Sequence, residues 1–268
     1  MVGKTFRSIA FDAKKKARAD KKDKFKSSDR AEKQFYRQLK KVAQYSGHIV
    51  DNYVDGVEIK DVAKMMKALE QYAKQLEPWA VRQSSKLLEQ VSKSNKRAYQ
   101  NNSKAMGAAL RSGVAESDDG AVALSLLYEQ VDLIKSLPTE AGLRAQRIAA
   151  ENFLNGTRAM PDPSVVARLK QEMEMTTEVA VNRAKLIART ETARANASFV
   201  QARAAAVGVT HYVWRTTMDG AERHSHAKMN GKVVPYAKPP TLSDGTTGHA
   251  GTFPNCRCWQ DPVLPDID

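Results

Sequence analysis

Cysteine is nearly missing from this chain: two residues in 268, Cys256 and Cys258. A C-x-C pair would close a strained, very small disulfide ring, so a disulfide framework is excluded. Free thiols, metal ligands or small buried apolar side chains remain. Aromatic residues are also few, at 7%, which argues for a helical, solvent-rich chain rather than one large packed core. No apolar run approaches the ~18 residues that a membrane helix needs. Lysine follows Met1 within a few positions, so a signal peptide is not expected and synthesis in a cytoplasm is. No 20–50-residue period recurs, which excludes a solenoid.

Acidic residues are outnumbered 30 to 43 by Lys and Arg, for a net charge of +13. The imbalance is concentrated at the start, where residues 1–41 hold 15 Lys/Arg against 5 Asp/Glu. Such a block repels itself and resists compaction. Lys14, Lys15, Lys16, Arg18, Lys21, Lys22, Lys24 and Lys26 form its densest part. They suit an acidic partner, either DNA or a negatively charged protein surface. Only Phe25 falls among these cations, and no aromatic–basic interleaving suggests base stacking, so DNA contact here would be blind to sequence. A merely solubilising role is the other reading.

Helical spacing dominates from Asp29 to about Ala206. Asp29 with Glu32 reads as a capping box, and Phe35, Leu39 and Val42 follow on one face, with Gly47 as the expected stop. The stripe resumes from Ile59, and Pro78 either breaks it or opens the next helix at its first turn. Residues 92–103 are strongly polar and read as the solvated middle of a long helix or as a loop tip. Residues 121–137 form an apolar helix, and Pro138 is expected to start another. Thr176, Thr177 and Glu178 open a long helix that Gly208 ends. The texture then changes: residues 211–217, 232–236 and 259–264 are β-branched and aromatic and read as strands. Residues 238–254 make a loop long enough to be functional, or disordered without a partner. The expected fold is α+β. A basic tail (1–28) precedes an elongated helical region (29–175) and a C-terminal domain (176–268) of one long helix and a few short antiparallel strands.

The last stretch also concentrates chemistry. His224, His226, His249, Cys256 and Cys258 fall between positions 219 and 259. Side chains of Cys256 and Cys258 share one side of an extended segment. With one or two imidazoles, His226 first among them, they could complete a tetrahedral zinc site. The alternative is two cysteines buried as small hydrophobes, with His226 hydrogen-bonded to Asp219 or to a backbone carbonyl. On the long helix, Glu191 and Arg194 are spaced for an ion pair. With Arg189 they form a polar face suited to locking the helix to the strands through Asp219 or Asn255. A nuclease built from Glu222, Arg223, His224 and His226 is a further alternative, although spacing fixes no second acid–base partner.

The sequence contains, in order, I-A-R-T-E-T-A-R-A-N (187–196), V-W-R-T-T-M-D (213–219), E-R-H-S-H (222–226), N-G-K-V (230–233) and P-N-C-R-C-W (254–259). Together these resemble the phage Mu F-like minor head proteins, also called head morphogenesis proteins, over roughly residues 180–265. The resemblance implies a non-enzymatic virion component of a tailed phage. It would lie inside the capsid near the portal protein and be present in the host cytoplasm during assembly. It would act in capsid assembly and in genome packaging or ejection. Scaffold or major capsid protein and phage DNA are further partners it suggests. The family's polar positions fall on Asp219, Arg223, His226, Asn255, Cys256, Arg257 and Cys258. Ten residues follow Cys258, so no appended toxin or enzyme domain is expected.

Overall fold

The computed structural model describes residues 25–102 and 119–264. In chain order the elements are α1 (Asp29–Asp51), β1 (Val54–Asp55), β2 (Glu58–Ile59), α2 (Val62–Gln75), α3 (Glu77–Asn102), α4 (Asp119–Gly156), α5 (Pro163–Glu174), α6 (Thr176–Ala206), β3 (His211–Arg215), α7 (His224–Ala227), β4 (Val233–Pro235) and β5 (Trp259–Pro262). The molecule is mostly helical. Its larger sheet is antiparallel, C-terminal and ordered β4-β3-β5, and a two-residue hairpin pairs β1 with β2. This is the α+β class expected from the sequence. Among the described residues no helix is long and apolar enough to cross a membrane. Lys14, Lys15, Lys16, Arg18, Lys21, Lys22 and Lys24 lie outside the described residues. Lys26 is described and pairs with Asp29.

The chain groups into two compact units. One comprises Lys33–Ser85 and Leu127–Ala188. Its core is Val50 from α1, Met65 and Leu69 from α2, Ala141, Ala145 and Ile148 from α4, and Leu169 and Met173 from α5. Spacings of three and four put each helix's contribution on one stripe. Asp61 and Asp162 cap α2 and α5 by accepting the Lys64 and Ser164 backbone N–H groups.

Two expectations fail in this unit. Helix α1 does not stop at Gly47 but runs on to Asp51. A Cβ at Gly47 would lie 1.9 Å from Thr177 Oγ1, so this glycine admits a neighbouring helix rather than ending its own. Pro138 does not begin a helix; it lies inside α4, which is continuous over 38 residues. Proline removes only one backbone donor, and apolar anchors on both sides, Ile134 and Leu137 before it and Ala141 and Ala145 after it, are buried.

The other unit comprises the described residues within 1–32, 86–126 and 189–268. Here the start of α1 is capped by Ser28 rather than Asp29: Ala31 N–H donates to Ser28 Oγ at 3.2 Å. Glu32 instead turns to Arg189. Within α6, Glu191, Thr192, Ala193, Ala195, Asn196 and Ala197 are all buried. Alanine-rich turns let other segments approach this helix on several sides. On β3, Tyr212 and Trp214 are two residues apart and so share a face. That face packs with Met229, Val234, Leu242, Ala250 and both cysteines.

The described part of the polar run 92–103 is helical rather than a loop tip, and Lys93, Ser94, Arg97, Gln100 and Asn101 are exposed, but two of its residues are interior. Helix α3 continues to Asn102, and Asn95 and Tyr99 are buried. Asn95 donates to Asn196 Oδ1 at 3.2 Å and accepts from Arg203 at 2.5 Å. Arg203, wholly buried, also donates to Ser92 Oγ at 2.8 Å and pairs with Asp119. Tyr99 donates to the Val200 carbonyl at 2.7 Å. Asn196 donates at 2.8 Å to the carbonyl of Phe25, whose ring packs beside Tyr99, Val200 and Trp259. The loop 238–254 is also built in: Thr241 bridges Thr247, and Leu242 and Ala250 are buried.

Candidate metal centre

His226, Cys256 and Cys258 converge in this second unit, and two local features place them. After β3 the chain turns through Met218 and Gly220, both at positive φ, into the one-turn helix α7. On a helix, residues two apart point about 200° apart. His226 therefore turns inward and is 2% exposed, while His224 is exposed. The H-x-H pair does not converge as it would on a strand, so of the Glu222, Arg223, His224 and His226 set only His224 stands apart, while the other three line one cavity.

Asn255 sets up the C-x-C segment. It sits at φ 58°, a conformation asparagine tolerates better than most residues. Its backbone N–H donates to Thr190 Oγ1 at 2.9 Å, and its Oδ1 accepts from Arg189 Nη1 at 3.0 Å. Arg189 also holds Glu32 at 3.2 Å. Helix α6 thereby fixes the point from which both cysteines project. Glu191, nearly inaccessible, accepts from Arg194 at 3.1 Å on the same helix. The remaining predicted polar positions stand nearer the surface. Arg257 donates to both oxygens of Asp219, at 2.5 and 2.7 Å, and holds that carboxyl down at about 2. Arg223 donates to the Pro254 carbonyl at 3.0 Å. Asp219 is thus held by Arg257, and the His226 ring is turned to the thiols.

Both sulfurs stand 3.5 Å from one atom, His226 Nδ1. The ligand atoms of the three residues all lie within 4.8 Å of one another, and all three residues are buried. In a tetrahedral zinc centre, bond lengths of about 2.0–2.1 Å to nitrogen and about 2.3 Å to sulfur put N and S about 3.6 Å apart. The observed separations match that edge. A single imidazole lone pair cannot serve two S–H donors equally, whereas one cation between the three atoms serves all of them. The donor set is also soft, as zinc prefers. These residues fit a metal ion and can hold one.

The surroundings favour a thiolate. The Cys258 backbone N–H donates to Cys256 Sγ at 3.4 Å. The neighbouring thiol, helped by His226, pulls the Cys256 pKa down. Cys258 moves the other way, because Cys256 and burial both oppose a second charge, while the Trp214 indole beside it acts in the lowering direction. The His226 ring is walled by Phe253 at 4.9 Å and Trp214 at 5.7 Å. Sequence reasoning did not pick out Trp214, Phe253 or Thr190 for this site. The available signal for Thr190 and Trp214 was their place in the I-A-R-T-E-T-A-R-A-N and V-W-R-T-T-M-D stretches. A cavity of about 60 Å³ opens beside the three donors, with Glu222, Arg223 and Arg257 also on its wall.

A protein of Haemophilus influenzae (strain ATCC 51907 / DSM 11121 / KW20 / Rd), described as an uncharacterized protein, is 34% identical over 140 residues. The matched stretch is 52% of this chain and 29% of that relative, so the chain corresponds to less than a third of its length. No solved structure matches the chain. The family model described as Phage Mu protein F like protein matches residues 156–260. This part of the chain, which holds His226, Cys256 and Cys258, is therefore a phage Mu protein F-like domain.

Proposed function

We propose that this protein is a minor head protein of a tailed phage, acting beside the portal inside the capsid in head assembly and in genome packaging or ejection. The Mu F-like domain over residues 156–260 carries the reading. Two features support it. The buried His226, Cys256 and Cys258 group and the α6 contacts at Thr190 and Arg189 tie the C-terminal loops to the long helix as one attachment unit. The lysine-dense segment ending at Lys26 supplies positive charge for an acidic protein surface or for DNA. In this organisation residues 1–28 are the basic arm, 29–175 the helical region and 176–268 the Mu F-like end. The metal held by His226, Cys256 and Cys258 is a structural zinc, clipping the C-terminal loops to α7.

Co-purification with the portal protein of the same phage, with and without residues 1–26, tests the reading. The full chain is expected to co-purify. Loss on truncation assigns the arm to the portal, and retention assigns it elsewhere. Failure of the full chain to bind portal, together with normal infectious heads in its absence, overturns the proposal.

A further inference from the structure

A tetrahedral zinc needs four donors. Structural sites draw all four from protein, while sites with three protein ligands keep one position for water or another small ligand. Among the described residues, no fourth His, Cys, Asp or Glu joins the group of His226, Cys256 and Cys258. Asp219 is committed to Arg257 through both oxygens. All three donors line one cavity of about 60 Å³, and a single water needs roughly 10–15 Å³. Room for a fourth ligand therefore exists on the side where the protein supplies none.

The cavity wall indicates what would enter. Zinc with two thiolates and a neutral imidazole carries no net charge. Arg257 is neutralised by Asp219, whereas Arg223 donates to the uncharged Pro254 carbonyl and keeps its positive field. Glu222 accepts the Gly220 N–H through Oε2, and its charge is felt at Cys258. One cation and one anion thus bias the cavity in opposite directions.

Resting on the zinc reading above, we infer that this is a three-ligand centre whose fourth position opens on the cavity and takes an exchangeable water or small anion, with Arg223 attracting anions and Glu222 repelling them. The zinc clip is therefore accessible to ligands and not sealed.

Cobalt(II) replaces zinc and reports its ligands by visible absorption. The full chain, purified without a histidine tag, is loaded with cobalt and titrated with azide and separately with imidazole. One cobalt per chain with a tetrahedral sulfur-ligated spectrum is expected, and azide should shift its bands saturably. Glu222→Gln should keep the cobalt stoichiometry and bind azide about fivefold tighter, the size of one partly screened charge a few ångströms away. Arg223→Gln should bind azide about as much more weakly. Imidazole, being neutral, should change less than about twofold in either variant. Bound cobalt whose spectrum ignores both ligands at tens of millimolar means a closed site and overturns the inference alone. Cobalt and zinc both below about half an equivalent overturn the zinc reading itself, and the inference with it.

Discussion

At Cys256 and Cys258 each sulfur serves a shared centre, so removing one harms the other. Cys256→Ser or Cys258→Ser replaces a sulfur by a hydroxyl in a buried, aromatic-walled site. Either is expected to abolish metal retention and to cost about 1–3 kcal/mol in urea unfolding even for metal-free protein. Equal midpoints for wild type and both variants would show that the thiols contribute nothing to stability. Exposed charges act through pH instead. Asp219 has its carboxyl lowered from 3.8 to about 2 by Arg257. Its contribution is therefore complete above the unfolded value and is lost as pH falls towards 2. His249, half-buried, and His211 are lowered from 6.5 chiefly by burial. The unfolded chain then binds their protons more readily, and stability declines as pH drops through about 6.5. Melting temperature plotted against pH should thus fall in two stages. His249→Gln should flatten the upper stage and Asp219→Asn the lower one.

Helices and strands were read from the sequence with uneven success, for identifiable reasons. Helix α6 and strands β3, β4 and β5 stand within a few residues of where caps, glycines and β-branched runs put them. Gly47 and Asn95 misled because each is a local signal answered by a distant partner, and Pro138 because buried anchors on both sides carry α4 through it. Thr177 explains Gly47. Gly47→Ala is expected to destabilise by about 1–3 kcal/mol through overpacking. In Thr177→Ala protein much of that cost should vanish, the coupling a double-mutant cycle measures. Gly156→Ala, with nothing within 4 Å of its Cβ position, serves as the control and should be near neutral. Arg203 explains Asn95. Arg203→Met removes a buried cation from Asn95, Ser92 and Asp119 together. A loss of about 3 kcal/mol in urea unfolding is expected. A variant as stable as wild type would mean that the network is worth no more than a hydrophobic replacement.

For the whole molecule, the charge excess at the N-terminal end makes a prediction that needs no geometry. If Lys14, Lys15 and Lys16 touch phosphates, replacing all three by Gln should lower the slope of log affinity against log salt by about 0.9 for each duplex phosphate no longer neutralised. An unchanged slope with weakened portal binding would assign them to protein. Composition and periodicity alone determined the helical majority, the late switch to strands, the basic arm and the C-x-C donors, because these depend on neighbours within a few residues. Tertiary structure alone decided that His226 turns inward while His224 stays exposed, that Thr190 holds the backbone of Asn255, and that Asn95 and Arg203 are interior. Those outcomes depend on the rotation of a one-turn helix and on partners from 30 to more than 100 positions away, and no local pattern in a chain encodes either.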